Sequence, residues 1–431
     1  MASTTPQHSV QAQKLFDALE RYTAAFPPRP TQLQDSKPQG DVILVTGTTG
    51  GLGCNILARL SLDPSVRKIY ALNRASAREG LVDRQVKALQ DRGVLEDCLR
   101  CPKFQLVEAD LSKPLLGLHA DLYAEIRDSV THIIHNAWSV KLVRPLEYFE
   151  DCFQGLRNLI DLALTSPFVE IPKFLFVSSM SMLRNYPGPN APEELIPDPA
   201  VSIGFGYTES KWVAERMLVA AEEATGLPAT SVRVGIVCGD RNGHWGTSDI
   251  YPLIVKSALT LRCLPDAKPD ALVSWVPSWE GAGVLCAMRH SDEPVLHLAN
   301  PNPVPWRSFF EVFAAEVGVP LVPFGTWISL LQNYSNDTGI PKSDRVKRNP
   351  AIHLIPYFEA ADMSPYKEFM GHTRLDTTKA IEIAPMLKDI RIGREMAVDW
   401  VRGWRRMGFL PPRARPMTQM SGFGQQVMAR L

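Results

Sequence analysis

The chain has no excess of charge of either sign: its 431 residues carry 46 lysines and arginines against 46 aspartates and glutamates. A neutral balance supplies no broad field for nucleic acid or an anionic membrane, which excludes binding that rests on such a field. No apolar run comes near the roughly 20 residues needed to cross a bilayer, and no N-terminal secretory pattern is present. These absences predict a soluble, cytoplasmic protein that engages neither nucleic acid nor membrane. The seven cysteines, at 54, 98, 101, 152, 238, 263 and 286, fall in no repeated metal-ligand spacing. Cys98-Leu-Arg-Cys101 is a single pair without a second pair or nearby histidines, so reduced thiols and no metal are expected. Nothing repeats at a fixed period, which excludes solenoids.

From residue 41 onward, short apolar runs alternate with longer helical patterns. Strands are predicted at 42–46, 68–72, 104–109, 131–135, 173–178, 229–234 and 294–298. Helices are predicted near 51–61, 78–92, 121–128, 146–165, 207–225 and 279–290. That alternation implies an α/β fold: a doubly wound, mostly parallel Rossmann-type sheet covered on both faces. Beyond residue 300 the strand signal fades, helical patterns dominate, and Lys342–Arg348 reads as an irregular basic stretch. In the first 40 residues, Leu15, Leu19, Tyr22 and Phe26 recur at helical spacing until Pro27-Pro28 ends the pattern. The expected organisation is therefore a leader with an amphipathic helix at 1–40, docked on its own globule. It is followed by a dinucleotide-binding domain (41–240 plus 271–300) and a smaller, mostly helical substrate domain (241–270 plus 301–431).

The most informative stretch is Asp41-Val-Ile-Leu-Val-Thr-Gly-Thr-Thr-Gly-Gly-Leu-Gly53. A buried strand turns through Gly47, Gly50 and Gly53 into the helix that starts Cys54-Asn-Ile-Leu. Such a turn leaves backbone amides, from Thr49 through Gly51 and Leu52, free to face one point. The helix dipole adds positive potential there, so a dinucleotide pyrophosphate can rest against bare backbone. The second strand ends Asn73-Arg74 about 20 residues on, where an NAD site usually carries an acidic residue for the ribose hydroxyls. A guanidinium suits a 2′-phosphate instead, which favours NADPH. Arg84 is a second candidate for that phosphate and equally a solvated helix charge. Asp110, with Leu111, follows the third strand where a carboxylate can accept from the adenine amine. His135-Asn136-Ala137 ends the fourth strand, where small residues let the cofactor pass.

Two further elements carry chemistry. Phe174-Leu-Phe-Val-Ser-Ser179-Met-Ser is a buried strand that ends in hydroxyls, and Tyr207-Thr-Glu-Ser-Lys211 opens a helix with Tyr207 and Lys211 on one face. Reducing a carbonyl requires a hydride donor, a hydrogen-bond donor on the oxygen and a proton for the alkoxide. A free phenol titrates near 10; an adjacent ammonium that brought it to neutrality would supply about 4 kcal/mol. Ser179 would place a second donor on the carbonyl oxygen.

The ordered set of Gly47/Gly50/Gly53, Asp110-Leu111, His135-Asn-Ala137, Ser178-Ser179 and Tyr207/Lys211 resembles the extended short-chain dehydrogenases/reductases. Several segments are more specifically similar to thioester reductase domains of fungal nonribosomal-peptide-synthetase-like enzymes, polyketide synthases and carboxylic acid reductases. They are Glu108-Ala-Asp-Leu-Ser-Lys-Pro-Leu-Leu-Gly117, Ile133-Ile-His-Asn-Ala-Trp138, Tyr207-Thr-Glu-Ser-Lys-Trp-Val-Ala-Glu-Arg216, Val273-Ser-Trp-Val-Pro277 and His297-Leu-Ala-Asn-Pro-Asn-Pro-Val-Pro-Trp306. The resemblance covers about 41–410. It implies an acyl thioester on the phosphopantetheine arm of an acyl carrier (thiolation) domain, reduced with NADPH to an aldehyde and then, if a second hydride follows, to an alcohol. Ser179, Tyr207 and Lys211 would be catalytic, and the isolated domain a monomer excised from, or standing apart from, a larger synthase. Related readings are an acyl-CoA reductase, a nucleotide-sugar epimerase or dehydratase, a cyclising release domain without redox activity, and an NADPH-binding scaffold. Arg74 argues against the epimerases, and the intact Tyr207 and Lys211 against the last two. Cys152 stands where extended members usually carry Asn. Two basic clusters are candidate carrier landing sites: Lys342/Arg345/Lys347/Arg348 and Arg402/Arg405/Arg406.

Overall fold

The apolar runs become seven strands of one parallel sheet: β1 (Asp41–Thr46), β2 (Val66–Asn73), β3 (Phe104–Glu108), β4 (His132–His135), β5 (Lys173–Ser179), β6 (Ala229–Val234) and β7 (Val295–Leu298). They lie in the order β7-β6-β5-β4-β1-β2-β3, every neighbouring pair parallel. The computed structural model describes residues 6–413 except 36–37, 95–97, 99–100, 241, 269–270, 363 and 365–366.

Its helices are α1 (Pro6–Thr23), α2 (Gly51–Leu62), α3 (Leu81–Asp91), α4 (Ala120–Arg127), α5 (Glu150–Leu164), α6 (Gly206–Thr225), α7 (Ile250–Leu261) and α8 (Ser278–Met288). Six more follow: α9 (Arg307–Val317), α10 (Phe324–Asn336), α11 (Lys342–Arg348), α12 (Ile355–Glu359), α13 (Thr378–Ile383) and α14 (Arg394–Arg406).

Side chains on a strand alternate between faces, so a strand buried on both sides must be apolar throughout. Strand β1 shows the result. Val42 and Leu44 join one core with α5 and α6, while Ile43 and Val45 join another with α2 and α8. Phe174 and Phe176 divide from Leu175 and Val177 in the same way. The strand order reverses between β1 and β4, and the crevice that this opens at the carboxyl ends of the strands is where such sheets bind ligands.

A separate core is built from aromatic residues: Trp245, Tyr251, Trp275, Trp306, Phe309, Trp400 and Trp404 pack with α7, α9, α10 and α14. Buried indoles need partners. Trp400 Nε1 donates to Asp240 O and Trp404 Nε1 to Trp245 O. We propose to read this core as the second lobe. Its boundary differs in one respect from composition alone, because Ala380, Ala384, Leu387 and Ile390 pack into the α2–α8 core of the first lobe. The basic stretch expected to be irregular is instead helix α11, with no buried residue. Its seven residues contain no Gly or Pro, and Pro341 supplies a break immediately before it.

The leader helix docks on the globule. Leu15 is fully buried, Phe16 meets Trp212 edge-on, Lys14 and Arg21 pair with Glu147 and Glu150, and Gln11 donates to Glu209 on α6. The exposed ion pairs contribute little; the apolar contact does the anchoring.

Candidate active site

All the cofactor-binding and catalytic residues nominated from sequence, except Gly53, line a single crevice of about 1550 Å³. That exceeds the roughly 300–1,000 Å³ of ordinary ligand clefts, leaving room for a dinucleotide and a second long ligand. Gly53 lies just beneath it. Gly47 has φ +74°, and a Cβ there would sit 3.0 Å from Ala137 Cα. A Cβ on Gly53 would stand only 2.1 Å from the carbonyl oxygen of Gly47. Gly50 is the N-cap of α2 and offers no side-chain cap, so the first amides of the helix remain available to a ligand. This cradle of small residues and unsatisfied donors fits a pyrophosphate. Gly53→Ala should therefore open the turn and weaken dinucleotide binding at least about tenfold, which NADPH fluorescence titration would measure; an unchanged Kd would mean the turn is not the anion cradle.

The Asn73 side chain serves the turn itself. Its Nδ2 donates to Thr48 Oγ1 at 2.7 Å, its Oδ1 receives the Thr49 amide at 3.2 Å, and Gln85 completes the buried cluster. Arg74 is exposed on the crevice rim, and its backbone oxygen receives Arg84 at 2.5 Å. The two arginines thus stand together on the crevice rim. Asp110 is exposed and accepts the Ser112 amide and hydroxyl in a local turn. Asn136 donates to the carbonyls of Thr46 and Gly47, and the Ala137 amide to Thr46 Oγ1.

Strand β5 delivers Ser179, and α6 delivers Tyr207 and Lys211. A Cβ on Gly206 would lie 2.3 Å from the Pro145 backbone, so only glycine lets the start of α6 press this close. The Ser179 hydroxyl lies 2.9 Å from that of Ser181 and is hydrogen-bonded to Tyr207. Burial raises the Tyr207 phenol above its ordinary value, and the Ser179 contact only partly offsets this. The expected phenolate stabilisation by Lys211 is therefore not the governing effect in this structure. Instead Lys211 Nζ donates to Val177 O at 2.7 Å between the faces of Trp138 and Phe176, 4.4 and 4.5 Å from their centroids. Burial pushes its ammonium down to about 7.

Cys152 lines the crevice beside Lys211, and burial holds its thiol protonated at neutral pH. His135 is buried and neutral, pushed down to about 3, with an unpartnered Nε2.

Sequence reasoning passed over several wall residues. Arg92, just beyond α3, lies 3.9 Å from the Cβ position of Gly51 and has a buried, unpartnered Nε. Asp249, whose carboxyl burial raises to about 6, and Tyr357 on α12 face the crevice from the second lobe. No local pattern marks them, because tertiary packing alone brings them there. Of the basic clusters, Arg405 is paired with Glu316 and Arg402 with Asp399, whereas α11 carries four cations with no buried face.

A family model described as male sterility protein, an NAD-binding domain, matches residues 45–278. The chain is 38% identical over 413 residues to adenylate-forming reductase Nps10 of Heterobasidion annosum, covering 93% of this chain and 38% of that protein. The chain thus spans well under half the length of this curated relative. Among solved structures, the terminal R domain of the myxalamid PKS-NRPS pathway superimposes with a TM-score of 0.77 at 22% identity, covering 93% of this chain and all of that one. A thiolation-reductase di-domain from an archaeal nonribosomal peptide synthetase gives a TM-score of 0.66 at 18% identity, over 93% of this chain and 80% of that one. At these identities the structures speak for the fold.

Proposed function

The chain belongs to the NAD-binding male sterility protein family, as a reductase domain of the extended short-chain dehydrogenase/reductase type, and from that membership we propose an NADPH-dependent thioester reductase that releases a carrier-bound acyl group as an aldehyde. The observation that carries the reading is the contact between Ser179 and the buried phenol of Tyr207, one helical turn from Lys211, in the same crevice as the glycine turn. The partner is an upstream acyl carrier domain bearing phosphopantetheine, which the large crevice can admit alongside a dinucleotide. No helix among the described residues is long and apolar enough to cross a membrane.

The residues fit a nicotinamide cofactor: the glycine turn and Arg92 would hold the pyrophosphate, Arg74 and Arg84 the 2′-phosphate, and Lys211 the nicotinamide ribose. When bound, the cofactor supplies a hydride. Ser179 and Tyr207 hold the thioester oxygen by hydrogen bonds that strengthen as negative charge develops on it. Tyr207, kept protonated by burial, gives its proton to that oxygen, and Lys211, balanced near neutrality, can replace it. The resulting hemithioacetal breaks its C–S bond, leaving an aldehyde and the carrier's thiol. A second round would give an alcohol.

Arg74→Asp tests the cofactor assignment. Loss of a charge-assisted phosphate contact should weaken NADPH about 10- to 100-fold while NADH changes little. An unchanged NADPH/NADH ratio would remove Arg74 from the phosphate site. Incubating the protein with NADPH and acyl-pantetheine thioesters tests the activity: aldehyde or alcohol with matching loss of cofactor absorbance is expected, and free acid without cofactor loss would defeat the reading.

A further inference from the structure

Glu215 follows Lys211 by one turn of α6 and is only 3% exposed. Its carboxylate receives the Ser178 hydroxyl of β5 at 2.5 Å and the forked guanidinium of Arg233 on β6 at 2.9 and 3.2 Å. Arg233 is itself fully buried and reaches His297 Nε2 on β7 at 3.4 Å. A carboxylate removed from water stays ionised only where hydrogen bonds and an opposite charge replace hydration, and this one has both. The chain therefore fixes the Glu215 carboxylate one turn from Lys211, hydrogen-bonded to the strand residue adjoining Ser179.

We infer that Glu215 is a positioning residue for Lys211: clamped by Ser178 and Arg233, it keeps the Lys211 side chain in its ammonium form beside Tyr207. The inference rests on the reductase reading of Tyr207 and Lys211. The groups facing Lys211 are Tyr207 and Glu215 on α6, Cys152 on α5 and His135 on β4. Tyr207 is held protonated by burial, Cys152 is held as a thiol, and His135 is neutral, pushed down to about 3. The Arg74 charge acts on Cys152 through space, and Arg233 is hydrogen-bonded to Glu215. Burial brings the Lys211 amine to about 7; against it stand Cys152 and then Glu215, the one carboxylate among these groups.

The test reads Lys211 directly, by NMR titration of lysine-labelled protein with its signal assigned through Lys211→Met. In Glu215→Gln the midpoint should fall by about one pH unit. The alkaline limb of kcat should move down equally, because the ammonium is present below the midpoint and lost above it, while KM for NADPH stays near wild type. Glu215→Asp should restore most of the midpoint. Glu215→Gln/Arg233→Gln removes both buried charges together; it should give a smaller fall in the same direction, because a neighbouring cation is lost as well, and it stands in if the single variant does not fold. A Lys211 midpoint unmoved in folded Glu215→Gln protein overturns the inference. If the midpoint moves but wild-type protein reduces no thioester, the placement of Glu215 stands and the reductase reading fails.

Discussion

Tyr207→Phe is expected to slow thioester reduction about 10²- to 10⁴-fold, with folding and NADPH affinity close to wild type. The phenol is buried, bonded to Ser179 and lifted above its ordinary pKa, so it holds a proton through the neutral range and can deliver it. Phenylalanine keeps the ring that packs against Phe149, 6.2 Å between centroids, and removes only the hydroxyl. The loss should therefore fall in kcat. Steady-state kinetics beside a thermal melt separates the outcomes: normal turnover in a folded variant would take Tyr207 out of the reaction. Wild-type activity should also decline above about pH 7 as the Lys211 ammonium is lost.

Arg233→Met should destabilise the first lobe by about 3–5 kcal/mol. Arg233 and Glu215 form an ion pair at 2.9 Å with side chains 0% and 4% exposed. Methionine matches the volume approximately but leaves the carboxylate buried with the Ser178 hydroxyl as its only described partner. Desolvation of an uncompensated charge then dominates over any packing gain. Denaturant unfolding measures the effect. A loss below about 1 kcal/mol would mean that Glu215 takes up a proton or reaches water without cost.

The sheet was legible in the sequence because strands buried on both faces must be apolar throughout, and all seven predicted runs entered it within one or two residues of their ends. The glycine turn was legible for a related reason: backbone at φ +74° beside Ala137, and a helix start with no room for a Cβ, both demand glycine. Tyr207 and Lys211 were readable because a helix brings residues four apart onto one face. What escaped depends on contacts distant in the chain. Glu215 and Arg233 read locally as a helix charge and a strand charge, yet they meet in the core from 18 residues apart. Arg92, just beyond α3, and Tyr357 on α12 reach the crevice from elements far apart in the chain. The amine of Lys211 turns to Val177 O between two aromatic rings, which no spacing rule expresses. Helix α11 was missed because its seven residues carry no apolar periodicity.

The central claim is that this crevice passes hydride from a nicotinamide to the carbonyl carbon of a tethered acyl group. The direct measurement supplies NADPH deuterated at both C4 positions and an acyl-pantetheine thioester and examines the product by mass spectrometry. The account predicts one deuterium at the aldehyde carbon, or two at the alcohol carbon after a second round, with one cofactor oxidised per deuterium transferred. Unlabelled aldehyde, or thioester cleaved to acid while the cofactor stays reduced, would contradict it.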